Sequence, residues 1–155
     1  MPNTSCTPAA DEGGFWFEFG WIPNGEMPDA THPILSKHPD WIGRGHDGQP
    51  CHYNNSDYYF NAYHPQVQQF ILDLIAESMD KYPDVDGIQG DDRLPASPAD
   101  SGYDSLTVAR YRATHDGSLP PADFRDSLWV NWRLELLNSF VEKMYRVVKA
   151  KRVRQ

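Results

Sequence analysis

Residues 82–95, Y-P-D-V-D-G-I-Q-G-D-D-R-L-P, are a short apolar segment that ends in two adjacent carboxylates, Asp91 and Asp92, followed by Arg93. Like charges held close raise the pKa of one partner, so one carboxyl can stay protonated while the other ionises, which is what general acid-base chemistry needs. If the strand persists through the pair, the two side chains point to opposite faces. Where strand gives way to loop, both can converge. The plain alternative is a solvated D-D-R turn in which Arg93 pairs with one acid. Glu18 is a third candidate, because it interrupts the aromatic run F-W-F-E-F. A carboxylate there is either buried with a partner or set at a strand mouth facing a ligand. Trp16, Trp21, Trp41, Tyr53, Tyr58, Tyr59 and Tyr63 crowd the same part of the chain. Aromatics among carboxylates and amides suit sugar rings, whose apolar faces stack while their hydroxyls form hydrogen bonds; the same side chains also serve as packing.

The histidines, His32, His38, His46, His52, His64 and His115, raise the question of a metal shared with Asp91 or Asp92, but their spacings match no compact ligand motif. No metal and no cofactor is expected. There is no G-x-G-x-x-G, no P-loop and no G-x-S-x-G elbow, which argues against nucleotide use and serine hydrolysis.

These residues need elements to hold them. F-W-F-E-F-G, residues 15–20, reads as a strand, and so does V-D-G-I-Q-G, residues 85–90. Between them, residues 21–57 are rich in Pro, Gly, Asn, His and Asp and read as irregular, with room for a short helix at 33–38. A helix is expected from Pro65, with Val67, Phe70, Ile71, Leu74, Ile75 and Met79 at spacings of three and four. Strand, loop, helix, strand in that order predicts parallel strands joined by a crossover helix. A modest helix is expected at 105–115. Asp126 is placed to cap a long one carrying Trp129, Trp132, Leu136, Leu137, Phe140, Met144, Val147 and Val148 on one side.

A chain of 155 residues with 39% hydrophobic and 13% aromatic content can build one core. Its net charge of −8 argues against a nucleic-acid backbone or an anionic membrane surface as partner. No run approaches a membrane span, which needs about 20 apolar residues. Residues 1–14 read as a flexible leader without the features of a secretory signal, so the compartment stays open. Cys6 and Cys51 are expected as free thiols.

F-W-F-E-F-G, H-P-D-W-I, Y-F-N-A-Y-H-P-Q-V-Q-Q-F-I-L-D-L and V-D-G-I-Q-G-D-D-R-L-P, in that order and spacing, resemble the glycosyl-hydrolase-like family 10 of bacteria. The similarity continues through G-Y-D-S-L-T-V-A-R-Y and W-V-N-W-R-L-E-L-L-N-S-F, over roughly residues 15–153. It implies a (β/α)8 TIM barrel acting on glycans, with cell-wall glycan a leading substrate class and export to the cell envelope common. It assigns F-W-F-E-F-G to about the third barrel strand and V-D-G-I-Q-G to about the fourth. Active sites of such barrels lie at the carboxyl ends of the strands, where Glu18, Asn61, Asp91, Asp92 and Arg93 would fall. Asp91 ranks first as catalytic carboxylate, then Asp92 and Glu18, with Trp16, Trp21, Asn61, Tyr63 and Arg93 as substrate contacts. A whole barrel takes about 250 residues, so the expected architecture is a partial barrel over 15–155, prone to self-association through uncovered edges. Gly90 stands where the family usually has a bulky residue, which would loosen packing beneath the acids. The rival readings are a carbohydrate-binding or degenerate remnant and, more remotely, a metal-dependent hydrolase.

Overall fold

A computed structural model describes residues 13–17, 21–23, 33–53, 57–90, 94 and 97–152. In chain order the elements are β1 (Gly14–Phe17), β2 (Trp21–Pro23), a 3-10 turn (Pro39–Trp41), β3 (His52–Tyr53), β4 (Asp57–Tyr59), α1 (Pro65–Lys81), β5 (Gly87–Gly90), α2 (Ser105–Thr114) and α3 (Ser127–Arg152). The described fold is mixed α/β.

β1 and β5 pair in parallel, with Gly14 opposite Gly87 and Phe17 opposite Gly90. The crossover predicted from the sequence is therefore present, and α1 runs from Pro65 as its apolar spacing requires. Pairing begins earlier than residue 15, since Asp86 donates its N–H to the Gly13 carbonyl at 2.8 Å. Residues 1–12, most of the expected leader, lie outside the described residues.

Alternation decides which face of this small sheet is covered. Phe15, Phe17 and Ile88 join a core with Val67, Ile71, Ile75 and Phe140, whereas Trp16 and Gln89 turn outward. α1 and α3 pack against one another on the covered side. Lys151 near the end of α3 reaches Asp80 near the end of α1, so the two helices run in the same direction. α3 descends as the chain beyond β5 ascends. Gly90 and Leu94 share a hollow with residues 141–148 of α3, whereas Pro98 and Ala99 share one with residues 130–137. The first turns of α3 thus lie beyond the carboxyl end of β5.

The described residues between 21 and 59 are more ordered than the composition of this stretch suggests. β4 lies between β2 and β3 in an antiparallel sheet, with Trp21 opposite Tyr59 and His52 opposite Tyr58. Strands of two or three residues show no alternation, and β2 finds its partner β4 far along the chain. The helix expected at 33–38 is a single turn, in which Lys37 and His38 both donate to the Ile34 carbonyl. Pro39 disfavours helical backbone at His38, which sits at φ −134°, and opens the 3-10 turn instead.

His64 starts α1. Its Nδ1 accepts the Gln66 N–H at 3.1 Å, which puts the ring proton on Nε2, and Nε2 donates to Asp40 Oδ2 at 3.1 Å. Replacing this ring with Ala should cost about 1–2 kcal/mol from the lost cap alone. His64→Asn should recover part of that, and urea denaturation of both variants checks it.

Candidate active site at the carboxyl end of the parallel strands

Phe17 and Gly90 are the last paired residues of β1 and β5. The chain continues from them directly into Glu18 and Asp91. Glu18, Asp91, Asp92 and Arg93 lie outside the described residues; the two strand ends that carry them are described and are hydrogen-bonded neighbours. Leu94 is buried again. A Cβ on Gly90 would meet the Leu94 carbonyl at 3.1 Å and its side chain at 3.7 Å. The Leu94 carbonyl stands where a side chain at position 90 would begin, and the glycine permits that close return. A hollow of about 320 Å³ nonetheless opens beside Gly90 and Leu94 against α3.

The other expected substrate contacts divide. Trp16, 63% exposed, stands on the open face of the sheet. Trp21 is in β2, and its side chain is outside the described set. Asn61 is 1% exposed, and its amide is engaged. Oδ1 accepts the Tyr63 N–H at 3.1 Å and Nδ2 donates to Thr107 Oγ1 at 3.4 Å, while the Asn61 N–H donates to the Trp41 carbonyl at 2.7 Å. Tyr63, 3% exposed, has its carbonyl bonded by Arg110 Nη1. Asn61 and Tyr63 thus hold the turn into α1 as a fixed platform, joined through Thr107 to α2.

Arg133 is a feature that sequence reasoning missed. It is 5% exposed and donates to four backbone carbonyls: Nε to Trp129 at 3.4 Å, Nη1 to Ala99 at 2.6 Å and Ser101 at 2.9 Å, and Nη2 to Phe124 at 2.8 Å. Its carbon Cζ lies 5.0 Å from the Trp129 ring. The available signal was a cation four residues after Trp129, on the apolar side of α3. Gly102, at φ +96°, lies beneath Tyr63, Trp129 and Arg133, and a Cβ there would come within 3.1–3.2 Å of all three. Only a glycine suits both that backbone and that packing.

Besides the hollow at Gly90 and Leu94, two more flank the described part of the segment after β5. One, of about 340 Å³, is lined by Tyr63, Pro98, Phe124, Arg125, Arg133 and Leu137 among others. The other, about 180 Å³, is bounded by Gly45, Asp47, Gln49, Cys51, His52 and Asp100. Pro98 borders both. Among the described residues no three His, Cys, Asp or Glu side chains gather as a metal-ligand set. The described histidines meet other groups: His38 stacks on Trp41, His46 on Tyr103 edge to face, His52 on Tyr58 and His115 on Tyr111.

Cys51 is a buried free thiol; Cys6 lies outside the described residues. Burial first, and then the carboxylates of Asp100 and Asp47, push its pKa up to about 12. In the unfolded chain the thiol titrates from its ordinary value of 9.0. Between those values the unfolded state has lost a proton that the folded state keeps, so this thiol's stabilising contribution is complete below pH 9 and is lost towards pH 12. Cys51→Ala should flatten that part of the alkaline loss of stability, as read from Tm against pH. In the native protein the thiol should react with a disulfide reagent only as fast as the protein opens.

A family model described as glycosyl hydrolase-like 10 matches residues 14–153. No curated protein and no solved structure matches the chain. Among the described residues, no helix is long and apolar enough to cross a membrane.

Proposed function

Because this chain belongs to the glycosyl hydrolase-like 10 family, we propose that it cleaves glycosidic bonds with carboxylates at the carboxyl ends of β1 and β5. One observation carries the reading: Phe17 and Gly90 are in register on parallel neighbours. Glu18 and Asp91 then follow from adjacent strand ends. The alternation of these strands favours Asp91 over Asp92. Trp16 and Gln89 face outward and Phe17 inward, so an alternation continued past Phe17 and Gly90 would turn Glu18 and Asp91 to the open face and Asp92 to the helix side.

The architecture we propose is two neighbouring strands of a (β/α)8 barrel spanning residues 15–155. Its support is the parallel crossover, two helices running the same way on one face, and an opposite face that carries Trp16. In a barrel that open face would line the interior, and the acids would stand at the end where substrates bind. One carboxyl, kept protonated by its charged neighbour, donates to the leaving oxygen, while an ionised one attacks the sugar or activates water. Arg93 and Trp16 are the proposed glycan contacts nearest these strand ends, with Trp21 following in β2. Asn61 and Tyr63 hold the adjoining turn.

The test is release of reducing ends from a panel of polysaccharides, bacterial cell-wall glycan among them. Release that chelation leaves intact supports the carboxylate mechanism. Glycan binding with no release from any member would point to a carbohydrate-binding protein instead.

A further inference from the structure

We infer that the 340 Å³ hollow beside Arg133 is a subsite for a carboxylate-bearing sugar unit, so that the glycan is an acidic one; this rests on the glycan reading above. The volume falls within the roughly 300–1,000 Å³ of small-ligand sites. Its walls are largely apolar, from Phe124, Val130, Leu134 and Leu137, with Tyr63 and Pro98 beside them. Such walls suit the C–H face of a sugar ring.

The charges in the lining are of one sign. Arg125 and Arg133 both border the hollow, and among the described residues no Asp or Glu does. Arg133 is nearly fully buried, and its four bonds go to neutral carbonyls. A guanidinium has five N–H donors; one on Nη2 has no acceptor among the described residues. Buried charges are ordinarily paired, because carbonyl dipoles solvate a cation without cancelling it. Arg125 has its Cζ 4.9 Å from the Phe124 ring and no ion pair among the described residues. A carboxylate accepts readily from guanidinium N–H groups and would supply the missing negative charge.

Location joins the hollow to the proposed site. Its rim includes Ser97, Pro98 and Ala99, a few residues after the acidic pair, and the first turns of α3 beyond the carboxyl end of β5. Tyr63, expected from sequence to contact sugar, lines it as well.

The experiment is calorimetric titration of the whole chain with glucuronic acid, glucose and acetate, each at low and high salt. Glucuronic acid should bind about tenfold more tightly than either glucose or acetate, because only it offers both the ring and the carboxylate. Its affinity should fall as salt rises from about 20 to about 300 mM. Arg125→Gln should collapse the preference for acid over neutral sugar without changing Tm. Equal affinities for glucuronic acid and glucose, acetate binding as tightly as glucuronic acid, or an unchanged preference in Arg125→Gln would each overturn the subsite. The two proposals fail separately. Hydrolysis of neutral glycans without acid preference removes only the subsite, and acid-selective binding with no hydrolysis of any glycan removes only the hydrolase.

Discussion

Asp91→Asn is expected to lower glycan turnover by about 10²- to 10⁴-fold, the usual contribution of a positioned general acid or base. Asn keeps the shape of Asp but can neither give nor take the proton, so Tm should stay unchanged. The expectation rests on Gly90, the last β5 residue paired with β1, handing the chain to Asp91 beside the end that carries Glu18. Glu18→Gln should cause a loss of the same order if it is the partner acid. Asp92→Asn should cost less, because alternation, if continued past Gly90, would turn that residue towards the helices. Reducing-end assays on the three variants decide the ranking. Turnover that survives Asp91→Asn removes it from the mechanism, and a larger loss from Asp92→Asn reverses the order.

Trp129→Ala should destabilise the protein by about 3–5 kcal/mol, the range for removing a fully buried large aromatic. For a chain of this size that is a Tm lower by roughly 10 °C. Trp129 is fully buried and joins three parts of the fold. Its ring lies 5.3 Å from Tyr103, 5.1 Å from Tyr111 at right angles and 5.3 Å from Trp132 in a stack. It also lies under the Arg133 guanidinium and against the space above Gly102. Loss of the ring removes packing between α2 and α3 and slackens the wall that holds Arg133. Trp129→Phe, which retains an aromatic face, should lose less. Thermal melts of both variants measure the difference, and a Trp129→Ala shift of only a degree or two would show that α2 is not anchored through this ring.

The parts of the fold that were legible from sequence are those whose signal is local. Spacings of three and four from Val67 to Met79, Pro65 at the first helical position and Asp126 before α3 each describe a helix through its own neighbours. Asp126 Oδ1 accepts the Leu128 N–H at 2.9 Å, as a cap does. The parallel pairing of β1 and β5 followed from element order, because a crossover helix between two strands leaves few alternatives. The sheet of β2, β3 and β4 was not legible. Its strands are two or three residues long, too short for alternation to register, and β2 pairs with a distant segment.

The chain by itself determined the acids, their order and the family, since residue identity and spacing are one-dimensional facts. Tertiary structure decided which residues share a place. Asn61 looked like a ligand amide and is instead tied to Tyr63 and Thr107. Gly90 looked like a gap; the Leu94 carbonyl returns close against it, and a hollow remains beside the two. Arg133 attracted no notice within an apolar helix face, yet it gathers carbonyls from Ala99, Ser101 and Phe124. Burial is the physical reason: whether a polar group is spent on the fold or available to a ligand depends on what surrounds it in three dimensions, and deciding neighbours such as Thr107 for Asn61 and Ala99 and Ser101 for Arg133 lie tens of residues away along the chain.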